Sequence, residues 1–178
     1  MLRSSASKAL LVWPIVVPLV AADRVTKVIA EEALRPLFMP REVFGDVLRW
    51  TLVYNPGAAF GLHLGPYSRW IFLCLTVGAL VILWRLYQQA TPSDRWRLVA
   101  VALVTAGALG NLIDRIVSPA GVVDFIDVGI GDRRWPTFNV ADMAVSTGAV
   151  MLAWVLWGED KAAERAAAAS ADPSGGRS

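Results

Sequence analysis

The chain has 178 residues, 56% of them hydrophobic and only 18% charged, with a mean hydropathy of +0.50, a composition outside the range of soluble domains. Its formal charge of +2 arises from 17 basic and 15 acidic residues scattered along the chain, which excludes a nucleic-acid surface and leaves membrane lipid as the natural neighbour. A single cysteine, Cys74, and a single histidine, His63, exclude a disulfide framework, a thiolate metal site and a paired-histidine zinc motif.

Apolar runs able to cross roughly 30 Å of hydrocarbon as helices of about 20 residues lie at about 9–30, 67–87, 96–115 and 138–157. The first follows Arg3 and Lys8 and ends in Ala21 and Ala22, as a cleaved signal peptide also would. The three later runs, and the polar pair that follows, favour a retained first helix. That pair is Asp23 and Lys27, four apart in the favourable acid-before-base order. Ionisable residues at such depth are paired and face protein or water, so the two read as a structural ion pair, with a direct part in substrate positioning left open.

Residues 31–66 are too long for a tight connection, and RWTLVYN alternates like a half-buried strand ending at the turn signal Asn55-Pro56-Gly57. This region reads as a small β-rich cap. The second span is bracketed by Trp70 and Trp84 and holds Cys74 as a packing residue; Trp96 opens the third, and Trp135, Trp154 and Trp157 flank the fourth, as headgroup-level indoles do. GALGNLIDRI closes the third span. Gly107 and Gly110 are three apart and permit close approach of another helix or of a substrate helix, while Asn111 and Asp114 share their face.

Asp124 lies in VVDFIDV, in the loop between the third and fourth spans, with Asp127 and Asp132 nearby as ordinary solvated charges. Asn139 and Asp142 open the fourth span, three apart on one face. Helix capping accounts readily for Asn139 and less well for Asp142, one turn further in. The separation of 18 positions from Asp124 to Asp142 suffices for the loop to turn back, so that two carboxylates meet at the membrane face. From Lys161 a frayed helix runs into a tail disordered at about 166–178. Short-loop bases Arg3 and Lys8, Arg85, Arg95 and Arg97, and Lys161 and Arg165 fall on one side, which places both termini in the cytoplasm and the cap outside.

In their order over four spans, DRVTK, NPGAAFG, GNLIDR, VVDFID and FNVAD resemble the lipoprotein signal peptidase family, also called signal peptidase II, over roughly residues 9–157. The resemblance implies an all-α membrane bundle of four helices with an extracytoplasmic β-cradle and a mobile lid. It also implies an intramembrane aspartyl endopeptidase of the bacterial cytoplasmic (inner) membrane, cutting prolipoproteins just before a diacylglyceryl-bearing cysteine. Asp124 and Asp142 match the family's catalytic pair. Asn55, Gly57, Asn111, Asp114, Arg115 and Asn139 match positions that line its site, and Asp23 and Lys27 match its first, structural block. Arg24 stands where the family often has glutamine, away from both catalytic blocks.

Two aspartates sharing one proton supply both a base for water and an acid for the carbonyl oxygen, so neither cofactor nor metal is implied. Joint binding of Mg²⁺ or Ca²⁺ by Asp114, Asp124 and Asp142 is the lesser reading. The expected partners are diacylglyceryl-modified prolipoproteins and membrane lipid, for a monomer with no nucleic acid. The alternative is a small four-span proton or cation transporter using membrane aspartates.

Overall fold

Apolar periodicity becomes four long helices in the computed structural model, which describes residues 2–57 and 65–171. In chain order the elements are α1 (Leu2–Ala33), β1 (Arg41–Phe44), β2 (Leu48–Asn55), α2 (Ser68–Gln89), α3 (Arg95–Val117), β3 (Val122–Ile130), β4 (Arg133–Arg134) and α4 (Val140–Ala171). Each helix contains a stretch long and apolar enough to cross a membrane, at 6–33, 65–89, 95–117 and 140–162, close to the expected spans. Residues 166–171, placed by the sequence in a disordered tail, instead continue α4. His63 and the rest of that tail lie outside the described residues. Pro14 and Pro18 sit within α1, tolerated as prolines are in membrane helices, where neighbours take up the freed backbone groups.

α3 is the central helix, packed against α1, α2 and α4. Its seam is built from small residues: Ala100, Ala102, Ala106, Gly107 and Gly110 are all buried, which lets neighbouring backbones approach closely. A Cβ on Gly107 would stand 2.2 Å from the Ala141 carbonyl oxygen of α4, and one on Gly110 would stand 2.5 Å from Asp23 Oδ2 of α1. On α4, Gly148 faces Ala100 and Val104 in return. The glycine face is therefore filled by the protein's own helices, the first of the two occupants that the spacing allows.

α2 is held differently. Only Ser68 and Leu83 of it are buried, and its ends are fixed by cations on helix C-termini, where unpaired carbonyls and the helix dipole favour positive charge. Lys8 Nζ donates to the carbonyls of Tyr87 and Ala90, each at 2.9 Å, and Arg69 donates to those of Arg115 at 2.6 Å and Ile116 at 2.9 Å. Between these anchors an apolar groove opens among α1, α2 and α3, lined in part by Val12, Val16, Leu80 and Trp84. Trp70, Trp84, Trp96, Trp135, Trp154 and Trp157 are all exposed, so they face the surroundings rather than a core.

The cap is larger than residues 31–66. A four-stranded antiparallel sheet in the order β1-β2-β3-β4 takes half its strands from the segment between α3 and α4, which the sequence reads as a loop. β3 pairs with β2 through Val53 opposite Asp124 and Asn55 opposite Val122. Leu52, Val123 and Phe125 pack on Ala30 and Leu34 at the end of α1, joining sheet to bundle. Burial of Val122, Val123, Asp124 and Phe125 on both faces explains why no polar–apolar alternation reveals the strand.

Because the space beside Gly110 is occupied, Gly110→Leu is expected to lower the unfolding temperature in detergent by the equivalent of about 1–3 kcal/mol or more of overpacking. Unchanged melting with a raised KM would return this face to the substrate.

Candidate active site

The site is assembled where α4 begins. Asn139 is fully buried; its Oδ1 accepts the Asp142 N–H at 2.9 Å, while Asp142 Oδ2 accepts the Asn139 N–H at 3.1 Å. This reciprocal pair is a capping box, which satisfies two otherwise orphaned donors of the helix. Capping thus accounts for Asp142 as well as Asn139, contrary to the sequence reading. It uses only one carboxylate oxygen, however. The other, Oδ1, accepts a 2.7 Å hydrogen bond from Asn111 Nδ2 of α3.

Asp124 reaches the same place from β3. Its Oδ1 accepts from Asn139 Nδ2 at 2.7 Å and its Oδ2 from Asn55 Nδ2 at 3.1 Å. Asn139 therefore hydrogen-bonds both carboxylates, one through its side chain and one through its backbone. Asp124 is 2% exposed, and burial, followed by the nearby charge of Asp142, pushes its carboxyl up from 3.8 to about 7. The sequence assigns Asp124 to a loop; it lies instead in a strand paired with β2 and bonded to α4.

Beneath this pair lies Lys27, whose side chain has no exposed surface. Its Nζ is 2.7 Å from Asp23 Oδ2 and 2.9 Å from Asp114 Oδ2, and it donates to Asn111 Oδ1 at 3.0 Å. Since that oxygen also accepts from Asn139 Nδ2 at 3.1 Å, the Asn111 amide is turned so that its nitrogen meets Asp142. Asp23 has a further part: its Oδ1 accepts the Ala141 N–H at 2.9 Å, which adds an anion at the start of α4. The predicted pair is thus one edge of a three-residue ion cluster.

The remaining site residues divide in two. Asp114 accepts the Val123 N–H at 3.3 Å and lies 3.4 Å from Arg24 Nη1, so it fixes β3 to α3. Among the described residues no three His, Cys, Asp or Glu side chains converge as metal ligands, and Asp114 is committed to Lys27 and the backbone. Arg115 lies within electrostatic reach of Asp142, Asp124 and Asp114 and 5.8 Å from the Phe72 ring; its buried Nε has no hydrogen-bond partner. Gly57 takes a φ of +114°, and a Cβ there would come within 2.8 Å of Phe72, so glycine suits both the turn and the close approach. Its N–H donates to Asn55 Oδ1 at 3.0 Å, which orients the Asn55 amide toward Asp124. Gly107 and Gly110 stand apart as packing residues. Asp127, read as solvated, is buried; it accepts from Thr51 at 3.0 Å and pairs with Arg134 at 2.8 Å. Asp132 is exposed, as expected.

A family model described as signal peptidase (SPase) II matches residues 15–158. The lipoprotein signal peptidase of Pseudomonas syringae pv. tomato is 40% identical over 168 residues, covering 90% of this chain and 94% of that one. That of Hydrogenovibrio crunogenus is 43% identical over 140 residues, 75% of this chain and 77% of its own. Two solved bacterial membrane enzymes share the fold: one has a TM-score of 0.71 at 32% identity over 82% of this chain and 87% of its own. The other has a TM-score of 0.69 at 34% identity over 80% and 89%.

Removing one partner from a buried ion group leaves charge uncompensated, so Lys27→Met is expected to lose about 3–5 kcal/mol of stability, read by denaturant unfolding in detergent. Wild-type stability in that variant would show that the cluster supports nothing. Between pH about 4 and about 7 the folded protein keeps an Asp124 proton that the unfolded chain has lost, so stability falls as pH rises through that window. Asp124→Asn should flatten this slope in thermal melts, and an unchanged slope would count against a buried, proton-holding Asp124.

Proposed function

This chain belongs to the signal peptidase II family, and we propose that it hydrolyses one peptide bond of a bacterial prolipoprotein, using Asp124 and Asp142 as a proton-sharing pair. The supporting observation is the single Asn139 side chain and backbone that hydrogen-bond both carboxylates. Two carboxylates held this near cannot both ionise readily, and the value near 7 for Asp124 agrees with one proton shared at neutral pH. The charged member takes a proton from water as that water attacks the scissile carbonyl carbon. The protonated member donates to the carbonyl oxygen, giving a gem-diol. Collapse of the diol breaks the C–N bond as a proton passes to the leaving amine.

The neighbours suit supporting tasks. Asn55, Asn111 and Asn139 supply only donors to the pair, which holds the carboxylates in place without competing for the shared proton. The partnerless Nε of Arg115 leaves a cationic donor for a substrate carbonyl. The cut falls just before a diacylglyceryl-modified cysteine, whose chains stay in lipid while the signal helix lies along the bundle; anchoring then supplies part of the positioning. Membership of the family supports the bacterial cytoplasmic (inner) membrane as the location, and the short-loop bases support both termini in the cytoplasm with the pair near the outer face. A four-span proton or cation transporter is not favoured, because the family matched over 15–158 is a peptidase family.

Asp124→Asn and Asp142→Asn should each reduce cleavage of a diacylated prolipoprotein by at least about 10³-fold, the order seen when one member of a catalytic unit is lost, while the protein remains folded. Full activity in either purified variant would remove the pair from the chemistry. A diacylated and an unmodified precursor, compared in the same assay, test the lipid requirement.

A further inference from the structure

A cleft of about 380 Å³ opens between the start of α3 and the last turns of the α4 span, lined by Asp94, Arg95, Trp96, Arg97, Trp154 and Glu159, among others, a volume within the range of ligand sites. It lies at the end of the bundle opposite the carboxylate pair, which gathers where α3 closes and α4 begins. Its depth is that of a membrane surface, since the α3 span begins at Arg95 and the α4 span ends at Ala162. None of the chemistry proposed above uses it.

The aromatic part of the lining is Trp96 and Trp154, each 62% exposed, and indoles at this depth favour the glycerol and headgroup layer of a bilayer. The polar part carries two cations and two anions. Arg97 Nη2 donates to one oxygen of Glu159, and Asp94 Oδ2 accepts the Thr91 N–H at 2.7 Å. Each of these bonds uses one of a carboxylate's two oxygens. The Arg97 side chain is only 15% exposed, and its buried Nε has no hydrogen-bond partner, so an acceptor arriving there removes a standing cost. Arg95 is exposed beside it.

Four interleaved charges that sum to zero do not suit a bare anion, which Asp94 and Glu159 would repel. They suit a ligand carrying both signs a few atoms apart. A phosphodiester accepts from Arg95 and from Arg97 Nε, as guanidinium groups favour, and a primary ammonium donates to the second oxygens of Asp94 and Glu159. Acyl chains then pass Trp96 and Trp154 into hydrocarbon. We propose that this cleft binds the headgroup of a zwitterionic aminophospholipid, in the leaflet away from the carboxylate pair. Its occupant ties α3 to α4 at one end of the bundle, as the Asn111 to Asp142 bond ties them at the other.

Native mass spectrometry of the delipidated full chain in detergent tests the site with phosphatidylethanolamine, phosphatidylglycerol and phosphatidylcholine of identical chains. The wild type should bind the ethanolamine lipid about tenfold more tightly than either of the others, the worth of one hydrogen bond between charged groups. Glu159→Gln, at a half-exposed position, should lose that preference and turn it toward phosphatidylglycerol, a reversal that a purely structural Glu159 would not produce. Arg95→Gln should weaken all three lipids about tenfold, and it keeps the test decisive if Glu159→Gln fails to fold by thermal melt. Equal binding of the three lipids by the wild type, a wild-type preference for phosphatidylglycerol, or an undiminished ethanolamine preference in folded Glu159→Gln would overturn the proposal. A rise in melting temperature with inorganic phosphate as large as that with the ethanolamine lipid would assign the cleft to free phosphate and overturn it equally.

Discussion

The structure turns on one ammonium group with no access to water. Lys27 Nζ is bound by Asp23, Asp114 and Asn111 at 2.7, 2.9 and 3.0 Å, and through those three it reaches α3, α4 and β3. Asp23 carries it to the start of α4, Asp114 to the first residues of β3, and Asn111 to Asp142. A buried ion group of this kind is weak evidence of net stability, since apolar packing of similar volume often does as well. What it provides here is a single arrangement. Removing the Lys27 charge would leave Asp23 and Asp114 buried against one another without their shared cation.

Charge is balanced in two tiers around that point. Asp23 and Asp114 stand against Lys27 and the half-exposed Arg24, whose 3.4 Å contact is screened by solvent and correspondingly weak. Above them the carboxyl groups of Asp124 and Asp142 stand within electrostatic reach of Arg115. The upper tier is the one with slack: it contains a nitrogen without a partner and a carboxyl held near 7. No buried atom of the lower tier is left without a partner in this way. Rigid neutrality below and unsatisfied capacity above is what a site needs if it is to move protons without losing its shape.

Much of this was legible in the residues. Apolar runs gave the spans because a membrane imposes length and composition on each helix separately, and polar residues three or four apart gave correct shared faces for Asn111 with Asp114 and for Asn139 with Asp142. What spacing does not specify is the partner. Gly107 and Gly110 announce a close approach, and only the fold shows that α4 and Asp23 are what approach. Asp127 looks solvated because Thr51, its hydrogen-bond donor, is 76 residues away. β3 is hidden in the sequence because its first residues are buried on both faces, so the alternation that marks a half-buried strand is missing. RWTLVYN, with one side turned outward, showed it plainly.

The manner in which α2 is attached bears on the lipid around it. α1, α3 and α4 interlock through small residues, whereas α2 is tied at its two ends by Lys8 and Arg69 and borders an open apolar groove between them. When hydrocarbon thickness departs from helix length, the strain is taken up by tilt where lateral packing is weakest. In this bundle that member is α2, so adaptation to bilayers of different thickness falls on a helix that contributes neither carboxylate, and the geometry at the start of α4 is insulated from the membrane in which it sits.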